Sequence, residues 1–359
     1  MLKIGFFHWN FDNIGGGEVL AKNIGKALNI PVHSIVGKNN PFQFIDISNS
    51  LPFITKQVRK IRTMDYLAWS TVDVTKFGDF DIILSSGGTT RALVVPDYIP
   101  HVNLCFSTSR WLYDLYHYRL NKMGMLKSAV IPFAELMRLW DASVDNRVDY
   151  YITISPIIKR RLYKYLKRDS DILYPPIDFY NYLHTDINKS YYMFISRLEP
   201  EKRPEAAIEA CINENVTLII AGTGSLEDKL KNKYKSNNNI IFRGFMSEDE
   251  KIRHLATCKA LIYPAVAEDF GIVPIEALAS GVPVICSNDG YPPTLIENKY
   301  GVITNGTSQE IASAIRNMPE YNSQDLINCA KQFDFEVFKA RINKLINLYY
   351  EDFNNKFNK

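Results

Sequence analysis

Residues 268–285 read EDFGIVPIEALASGVPVI, a stretch that combines a loop, a helix start and the approach to a buried strand. Pro274 suits the first turn of a helix, which places Glu276 just inside that helix and Glu268 on the preceding loop. A Gly-Val-Pro turn then leads into the next apolar run. The stretch therefore predicts one helix-to-strand unit of an α/β fold.

Short apolar runs alternate with helical segments along the rest of the chain, and the pattern occurs twice. Continuous apolar runs separated by helices are typical of parallel sheets covered on both faces. The predicted strands span residues 3–8, 32–36, 82–85, 101–106 and 150–154 in the first half, and 192–195, 217–221, 240–243, 260–263 and 284–286 in the second. A helix is predicted over residues 17–28. The fold class is therefore α/β, with two parallel sheets.

The length of 359 residues exceeds what one hydrophobic core usually supports, so two domains are expected. Residues 173–178 read LYPPID, and the two consecutive prolines hold this segment extended. We place the boundary there, with a first domain over 1–173 and a second over 174–334. In residues 335–349 one helical face carries the apolar side chains Phe338, Ile342, Leu345, Ile346 and Tyr349, so this helix must pack against a domain.

Composition excludes several classes of protein. Hydrophobic residues at 46% and charged residues at 23% match an ordinary soluble globular protein. A net charge of +3 from 42 basic and 39 acidic side chains argues against nucleic-acid binding. The five cysteines are scattered and lack metal-ligand spacing, which favours buried thiols in a reducing compartment. The N-terminal apolar run is too short for a signal peptide or a membrane span. We therefore expect a cytoplasmic protein.

A glycine-rich turn, DNIGGGE at residues 12–18, follows the first predicted strand and opens a helix. Backbone amides and the helix dipole at this position favour an anion, and Gly15, Gly16 and Gly17 permit close approach of a ligand. It is not the dinucleotide fingerprint, because Leu20 stands where GxGxxG requires glycine. A purely structural turn, with Glu18 favoured by the dipole, is the alternative interpretation.

Two cations lie in the loop after the first strand of the second half, ISRLEPEKRP at residues 195–204. Arg197 and Lys202 can converge there beside a helix start, which suits a departing diphosphate on which negative charge grows. A solvated basic loop is the alternative, and we predict it for Arg203.

The two carboxylates of the opening stretch stand eight positions apart. Glu268, together with the exposed amides of a helix start, can bind sugar hydroxyls and phosphate oxygens. Glu276 can accept a hydrogen bond from a ribose hydroxyl, although helix capping alone would also explain a glutamate at this position. Both carboxylates can line one pocket.

Residues 268–285 resemble the EX7E region of the retaining GT-B glycosyltransferases of family 4. The run from Gly15 to Glu18 is similar to the GGxE loop of that family, and Arg197 and Lys202 are similar to its diphosphate-binding pair. The YPPID at 174–178 is similar to its interdomain YPPVD. Because these motifs stand in the family's order and span nearly the whole chain, the combination is specific.

The resemblance implies roles for individual residues. Arg197 and Lys202 take the diphosphate, Glu268 meets the donor sugar, and Glu276 holds the ribose. The other residues implied in nucleotide-sugar binding are Gly15, Gly16, Gly17, Gly222, Thr223, Gly224, Phe245, Phe270, Gly271, Ile272 and Val273. No cofactor and no metal ligand is predicted.

The resemblance also implies the architecture and the reaction. Two Rossmann-like domains would face a deep interdomain cleft, with the helix over 335–359 crossing back to the first domain. The chain would be a hexosyltransferase of glycan biosynthesis that transfers a sugar with retention and without metal. We expect mannose from GDP-mannose, or a UDP-sugar, and a glycan or lipid-linked acceptor.

One position departs from the family pattern. Residues 104–114, LCFSTSRWLYD, resemble the YCHTPxRYxxD segment of mannosyltransferase-like members, and Phe106 stands where those members have histidine. The departure motivates one alternative, a nucleotide-sugar-binding protein with weak or no activity. A GT-B nucleotide-sugar epimerase is a second alternative, because the resemblance implies an architecture that such epimerases share. Arg110 and Asp114, four residues apart, suit either acceptor contact or a surface ion pair.

Two basic clusters suit either a solvated surface or an anionic lipid leaflet. Six basic residues interleave with apolar and aromatic ones over 157–168, and a second cluster comprises Lys56, Arg59, Lys60 and Arg62. Anionic leaflets attract such residues at about 1 kcal/mol each. The clusters therefore add peripheral contact with the inner membrane face to the expected partners.

Overall fold

A computed structural model describes residues 2–11, 15–35, 44–53, 55, 65–124, 127–185 and 189–357. The second basic cluster predicted above, Lys56 to Arg62, lies outside these residues. Contacts divide the chain into a first unit, Met1–Tyr174 with Phe338–Lys359, and a second unit, Pro175–Val337.

The described residues of the first unit form a parallel sheet of seven strands in the order β3-β2-β1-β4-β5-β6-β7. The strands are β1 Ile4–His8, β2 Val32–Ser34, β3 Ile45–Asp46, β4 Ile82–Ser86, β5 His101–Cys105, β6 Tyr150–Thr153 and β7 Asp171–Ile172. Its helices are α1 Gly16–Leu28, α2 Asp65–Trp69, α3 Tyr116–Asn121, α4 Lys127–Asp145 and α5 Pro156–Leu166, with 3₁₀ turns at Ser48–Ser50, Val74–Phe77 and Thr89–Ala92.

In the second unit, the described residues form a parallel sheet of six strands in the order β10-β9-β8-β11-β12-β13. The strands are β8 Tyr191–Ile195, β9 Thr217–Ala221, β10 Ile240–Gly244, β11 Ala260–Tyr263, β12 Val284–Ser287 and β13 Gly301–Thr304. The helices are α6 Pro204–Asn213, α7 Glu227–Lys233, α8 Glu248–Thr257, α9 Ile272–Ala279, α10 Pro292–Ile296, α11 Ser308–Arg316 and α12 Ser323–Ala330, with 3₁₀ turns at Phe179–Asn181, Pro200–Lys202 and Lys331–Phe333. The last helix, α13 Phe335–Phe357, begins at the end of this unit and belongs to the first unit from Phe338 onward.

The central strands of both sheets are buried on both faces, which explains their continuous apolar sequences. In β4 all five residues are buried, and in β11 all four are buried. Parallel strands bring their carboxyl ends to one edge of the sheet, where ligands of open α/β sheets usually bind. The loops that carry the predicted site residues all leave their sheets at this edge.

The predicted α/β class with two parallel sheets is confirmed, and each of the ten predicted strands overlaps an observed one. Strands β3, β7 and β13 were not predicted. Two of them are only two residues long, and β13 is an edge strand whose sequence, GVIT, has too short an apolar run to stand out.

The last helix, α13, spans Phe335–Phe357, within the predicted range 335–359. Its buried residues are the five predicted ones and also Phe353, one turn further on. The helix packs within the first unit, where the rings of Tyr349 and Tyr150 stack with centroids 4.7 Å apart. The Tyr349 hydroxyl donates a hydrogen bond of 2.8 Å to Asp171.

All five cysteines are free thiols, and four of them are buried. Burial raises the pKa of Cys211, Cys258 and Cys286 to about 12, so these thiols stay protonated. Among the described helices, none has both the length and the hydropathy needed to cross a bilayer.

Candidate active site

An ion pair joins two of the predicted site residues at the strand-end edge of the second unit. Lys202, in the turn after β8, places its ammonium against Oε2 of Glu268, in the loop after β11. Their side chains are only 13% and 17% exposed, so the pair is largely shielded from water. The Tyr263 hydroxyl donates a second hydrogen bond to Oε2 of Glu268, at 2.9 Å. The structure therefore brings together a cation and a carboxylate that lie 66 residues apart.

The loop that carries Glu268 is fixed by backbone contacts on both sides. The Glu268 carbonyl accepts a hydrogen bond of 3.0 Å from the Tyr291 amide. The Ala267 amide donates a hydrogen bond of 3.0 Å to the Asp289 carboxylate. At Gly290, φ is +84° and a Cβ atom would lie 2.6 Å from the Glu268 carbonyl oxygen, so only glycine fits. Sequence reasoning missed Asp289 and Gly290, which position this carboxylate.

Glu276 lies on α9 and is held by two donors that sequence reasoning also missed. The Tyr182 hydroxyl and the Lys251 ammonium each donate a hydrogen bond of 2.8 Å to Oε1. Burial and the Glu276 carboxylate both raise the pKa of Tyr182. For Lys251, burial lowers the pKa, but the Glu276 carboxylate outweighs this effect and the pKa is raised. The other oxygen, Oε2, is buried and has no hydrogen-bond partner among the described residues. Glu276 thus retains one acceptor oxygen for a ligand.

The start of α9 offers backbone donors next to these side chains. Gly271 is the N-cap residue with φ of +85°, and no side chain caps the helix. The amides of Ile272 and Val273 belong to the first turn, which has no intrahelical acceptors. Phe270, in contrast, is buried, and its ring stacks on Tyr291 with centroids 5.3 Å apart. A ligand contact at Phe270 would therefore run through its backbone.

The glycines predicted to flank the nucleotide base are required by packing. A Cβ atom on Gly222 would lie 1.9 Å from the Ser196 carbonyl oxygen, and one on Gly224 would lie 2.6 Å from that of Leu198. The Leu198 amide donates to the Thr223 carbonyl at 2.9 Å, which locks the two loops together. This geometry supports the structural interpretation of these residues.

Two predicted residues of the second unit are open to solvent. The Phe245 side chain is 85% exposed and follows Gly244, whose φ is +68°. Arg197 is exposed as well. Its positive charge opposes the rise that burial causes in the pKa of Tyr263, whose hydroxyl donates a hydrogen bond to Glu268. An exposed aromatic ring and an exposed cation at one sheet edge suit a base and a phosphate.

In the first unit, the glycine-rich turn forms part of a separate cavity. The Gly15 amide donates a hydrogen bond of 2.9 Å to Glu18, so this carboxylate caps its own helix. Burial raises the pKa of Glu18. A Cβ atom on Gly17 would lie 3.3 Å from the ring of Phe106, and Gly16 faces open space. Phe106 therefore packs directly against the turn.

The cavity has a volume of about 800 Å³. Its polar lining comes from α1, α2, α3 and the loops after β4 and β5, and comprises Gly17, Glu18, Tyr66, Gly87, Gly88, Thr89, Ser107, Thr108, Ser109 and Arg119. Its apolar lining includes Trp9, Phe106, Trp111, Leu112, Met123, Val130, Phe133 and Met137. This volume suits a small-molecule site.

A buried charge network lies next to the cavity wall. Arg91, 4% exposed, pairs with Asp141 and, at 3.3 Å, with Asp145. Asp141 also accepts hydrogen bonds from the lining residues Tyr66, at 2.8 Å, and Ser109, at 3.4 Å. The network therefore fixes two side chains of the cavity wall.

The histidines near Phe106 are structural. His8 is buried against Ser86 at 2.8 Å, and burial lowers its pKa to about 3. His101 bonds Ser85 at 2.8 Å, and burial lowers its pKa to about 4. Both rings are neutral near pH 7, and His117 is exposed.

Half of the basic side chains named outside the site have carboxylate partners among the described residues. In the segment 157–168, Lys159 pairs with Asp169, Arg161 with Asp114, and Arg168 approaches Asp145. Arg110 also pairs with Asp114, at 3.1 Å, as the ion-pair interpretation predicted. Arg203 donates to the Asn305 carbonyl at 3.1 Å. Within the described residues, no three His, Cys, Asp or Glu side chains gather as metal ligands would.

Comparison with known proteins agrees with this architecture. Residues 184–349 match the family described as glycosyl transferases group 1. The alpha-1,3/1,6-mannosyltransferase ALG2 of Dictyostelium discoideum is 27% identical over 53% of this chain and 58% of its own length. The GDP-mannose-dependent alpha-(1-6)-phosphatidylinositol dimannoside mannosyltransferase of Mycobacterium tuberculosis is 28% identical over 38% of this chain and 37% of its own.

Solved structures share the fold over nearly the whole chain. The Anabaena protein HepE, crystallised in complex with UDP-glucose, superposes with a TM-score of 0.70 at 19% identity, covering 97% of this chain and 100% of its own. The chain spans about half the length of the curated mannosyltransferases it matches. The chain therefore has the two-domain α/β fold of these solved structures, and its residues 184–349 are similar to glycosyl transferases group 1.

The donors around Glu276 give a first testable prediction. Tyr182→Phe keeps the ring but removes one hydrogen bond to a carboxylate, and such bonds contribute about 1.5–3 kcal/mol. We expect a loss of that size in the free energy of unfolding, measured by denaturant titration. Tyr180→Phe is the matched control, because that side chain is 85% exposed in the adjacent turn. Equal stability of the two variants would contradict the assignment.

Proposed function

We propose that the chain transfers a hexosyl group from a nucleoside diphosphate sugar to an acceptor hydroxyl, with retention of anomeric configuration. The observation that carries the proposal is the partner-free, buried Oε2 of Glu276, beside the start of α9 and on the same sheet edge as the Lys202–Glu268 pair. A ribose hydroxyl would satisfy Oε2, and the first-turn amides would receive phosphate oxygens.

The two cations suit the charge that develops during transfer. As the bond between the anomeric carbon and the phosphate oxygen breaks, negative charge grows on the diphosphate, and Arg197 and Lys202 would stabilise it. The acceptor oxygen forms its bond to the anomeric carbon on the face from which the diphosphate leaves. The acceptor's proton passes to the departing phosphate oxygen, so no enzyme nucleophile is needed.

Fixed cations at the diphosphate also let the reaction proceed without a divalent metal, and we propose metal independence on this basis. Transfer measured in EDTA should match transfer measured with added Mg²⁺. Complete loss of activity in EDTA, restored by Mg²⁺, would overturn this part of the proposal.

For the donor, we propose GDP-mannose. Its support is the similarity to a relative whose name specifies GDP-mannose and to the ALG2 mannosyltransferases. A UDP-sugar is the second candidate, favoured by the likeness to a structure solved with UDP-glucose. The exposed ring of Phe245 suits stacking on either base.

The acceptor is proposed to be a glycan or a lipid-linked glycan that enters the cavity of the first unit. Its polar lining offers hydroxyl, carboxylate and backbone groups to a sugar. Peripheral contact with an anionic leaflet through the basic side chains of 157–168 is part of the same proposal. Of these, Arg160, Lys164 and Lys167 have no carboxylate partner among the described residues.

Nucleotide binding gives the direct test. Thermal unfolding is measured with GDP, UDP or ADP, without metal, for the wild type and for the Arg197→Ala/Lys202→Ala variant. A ligand at about 100 times its Kd stabilises the native state by about 2.7 kcal/mol, a shift of several degrees. We expect one nucleotide to stabilise the wild type and not the variant. Stabilisation by none of the three would contradict the donor site.

The assay must also distinguish two alternatives, one motivated by Phe106 and one by the shared architecture. A nucleotide-sugar-binding protein without activity would bind the donor but neither transfer nor hydrolyse it. A GT-B epimerase would convert the donor without any acceptor. Product analysis with and without acceptor separates these outcomes from transfer.

A further inference from the structure

The cavity of the first unit continues into a second, smaller space that is lined mainly by apolar side chains. This adjoining space of about 140 Å³ is lined by Trp111, Tyr116, Arg119, Leu120, Met123 and Val130. Four of these residues, Trp111, Arg119, Met123 and Val130, also line the large cavity. The two spaces therefore share a wall, which is formed by α3, the start of α4 and the loops before them.

The lining of the large cavity has a polar part and an apolar part. The polar part, which includes Gly17, Glu18 and Ser109, supplies hydroxyls, a carboxylate and glycine backbone. The wall shared with the smaller space is aromatic and aliphatic apart from Arg119. Trp111 and Phe133 stack there with ring centroids 6.1 Å apart. A ligand that fills both parts must itself be polar at one end and apolar at the other.

One cation lies in the wall that the two spaces share. Arg119 is the basic residue among the described lining residues of both spaces. Its side chain is exposed and has neither an ion pair nor a side-chain hydrogen bond within the described chain. Its neighbours Arg110 and Arg138 are in contrast paired with Asp114 and Glu135. Arg119 is thus available to an external anion.

The apolar character extends along the exposed face of α4. Ile131, Phe133, Leu136 and Leu139 are 41–65% exposed on this helix. Apolar side chains grouped on a surface next to a cavity commonly mark a binding site for an apolar group. A chain longer than the cavity would find further apolar surface here.

We propose that this unit binds an anionic amphiphile, with its sugar in the polar part of the cavity, its phosphate at Arg119, and its hydrocarbon chain against Trp111, Phe133, Met123 and Val130. The inference rests on the proposed function, since it specifies the class of acceptor. The hydrocarbon is either a linear acyl-type chain or a branched isoprenoid, and both offer the same apolar surface and anionic linker.

Binding of n-alkyl phosphates to the full chain tests the proposal. Butyl, hexyl, octyl and decyl phosphate, each below its micelle-forming concentration, are titrated while tryptophan fluorescence is followed, because Trp9 and Trp111 line the cavity. Each buried methylene should tighten Kd about fourfold. Geranyl phosphate and decyl phosphate, with equal carbon number, distinguish an isoprenoid from an acyl-type chain.

Two variants test the contributions of the charge and of the apolar wall to binding separately. Arg119→Gln should abolish the preference for octyl phosphate over neutral octyl glucoside and keep the dependence on chain length. Phe133→Ala should weaken the dependence on chain length and keep the preference for phosphate. Lys344→Gln, an exposed cation on α13, and Tyr98→Ala, an exposed aromatic outside the cavity lining, are the matched controls. Both controls should behave as the wild type.

A Kd that does not change with chain length, or an Arg119→Gln variant with the wild-type preference for phosphate, would overturn the proposal. Nucleotide-induced stabilisation of the second unit is measured on the same samples. If a nucleotide stabilises the protein and no alkyl phosphate binds, the amphiphile inference fails while the proposed function stands. If neither binds, both fail.

Discussion

Replacing Lys202 with alanine is expected to lower the turnover number about 10²- to 10³-fold. The loss of one preorganised donor at a site of developing negative charge typically costs about 2.7–4 kcal/mol in the transition state. Lys202 fits this role because its ammonium is only 13% exposed and is already held at the sheet edge by Glu268. Steady-state kinetics at saturating donor would measure the change.

Backbone contacts and the ion pair with Glu268 hold Lys202 in place. Its ammonium therefore needs little reorganisation to stabilise negative charge in the transition state. Lys202 ends the 3₁₀ turn Pro200–Lys202, and the Glu201 carbonyl accepts a hydrogen bond of 2.9 Å from Val266, two residues before Glu268. This hydrogen bond therefore joins the turn to the loop that carries Glu268. Alanine would keep this backbone and remove only the cation.

Lys233→Ala is the matched control for this experiment. Lys233 pairs with Glu205 at 2.6 Å in the same unit, but its side chain is 48% exposed on α7. Its removal should leave turnover unchanged, because exposed ion pairs contribute little. Wild-type turnover in Lys202→Ala, or an equal loss in both variants, would contradict the role assigned to Lys202.

The two-sheet architecture could be predicted from the sequence because it depends on local patterns. Continuous apolar runs marked the buried strands, and the prolines at 175–176 stand where the contacts divide the chain. The periodic residues of α13 predicted its buried face, except for Phe353. The two-residue strands carry too few side chains to produce a pattern.

The candidate site could be predicted only in part, because its support comes from distant residues. Tyr182 is 94 residues and Lys251 is 25 residues from Glu276, and neither belongs to a local motif. Gly290 is a single glycine in a loop, and only the approach of the Glu268 backbone explains it. For Gly222 and Gly224, the sequence left ligand contact and packing open, and the structure shows the packing.

In the first unit, Arg91→Met is expected to reduce the free energy of unfolding by about 3–5 kcal/mol, the usual cost of removing one partner of a buried ion pair. Methionine fills a similar volume but leaves Asp141 and Asp145 without their shared cation. Both carboxylates are buried, and they cannot gain compensating water. Denaturant titration, followed by tryptophan fluorescence, would measure the loss.

An exposed ion pair serves as the control for this prediction, and a double variant tests whether the loss comes from the unpaired carboxylates. Lys3→Met removes a partner of Asp79 at 2.8 Å, but the two side chains are 65% and 92% exposed, so stability should not change measurably. Adding Asp141→Asn to Arg91→Met neutralises one stranded carboxylate. The double variant should therefore lose less stability than the sum of the two single variants.

The network also connects stability to the shape of the cavity. Asp141 is held by Arg91 and accepts the hydrogen bonds of Tyr66 and Ser109, which line the cavity. Without Arg91, the buried Asp141 carboxylate has no cationic partner, and the resulting shift of its side chain disturbs these two bonds. Arg91→Met should therefore also weaken ligand binding in the cavity at temperatures where the protein remains folded. Additive losses in the double variant, or unchanged stability in Arg91→Met, would show that Arg91 does not hold these carboxylates.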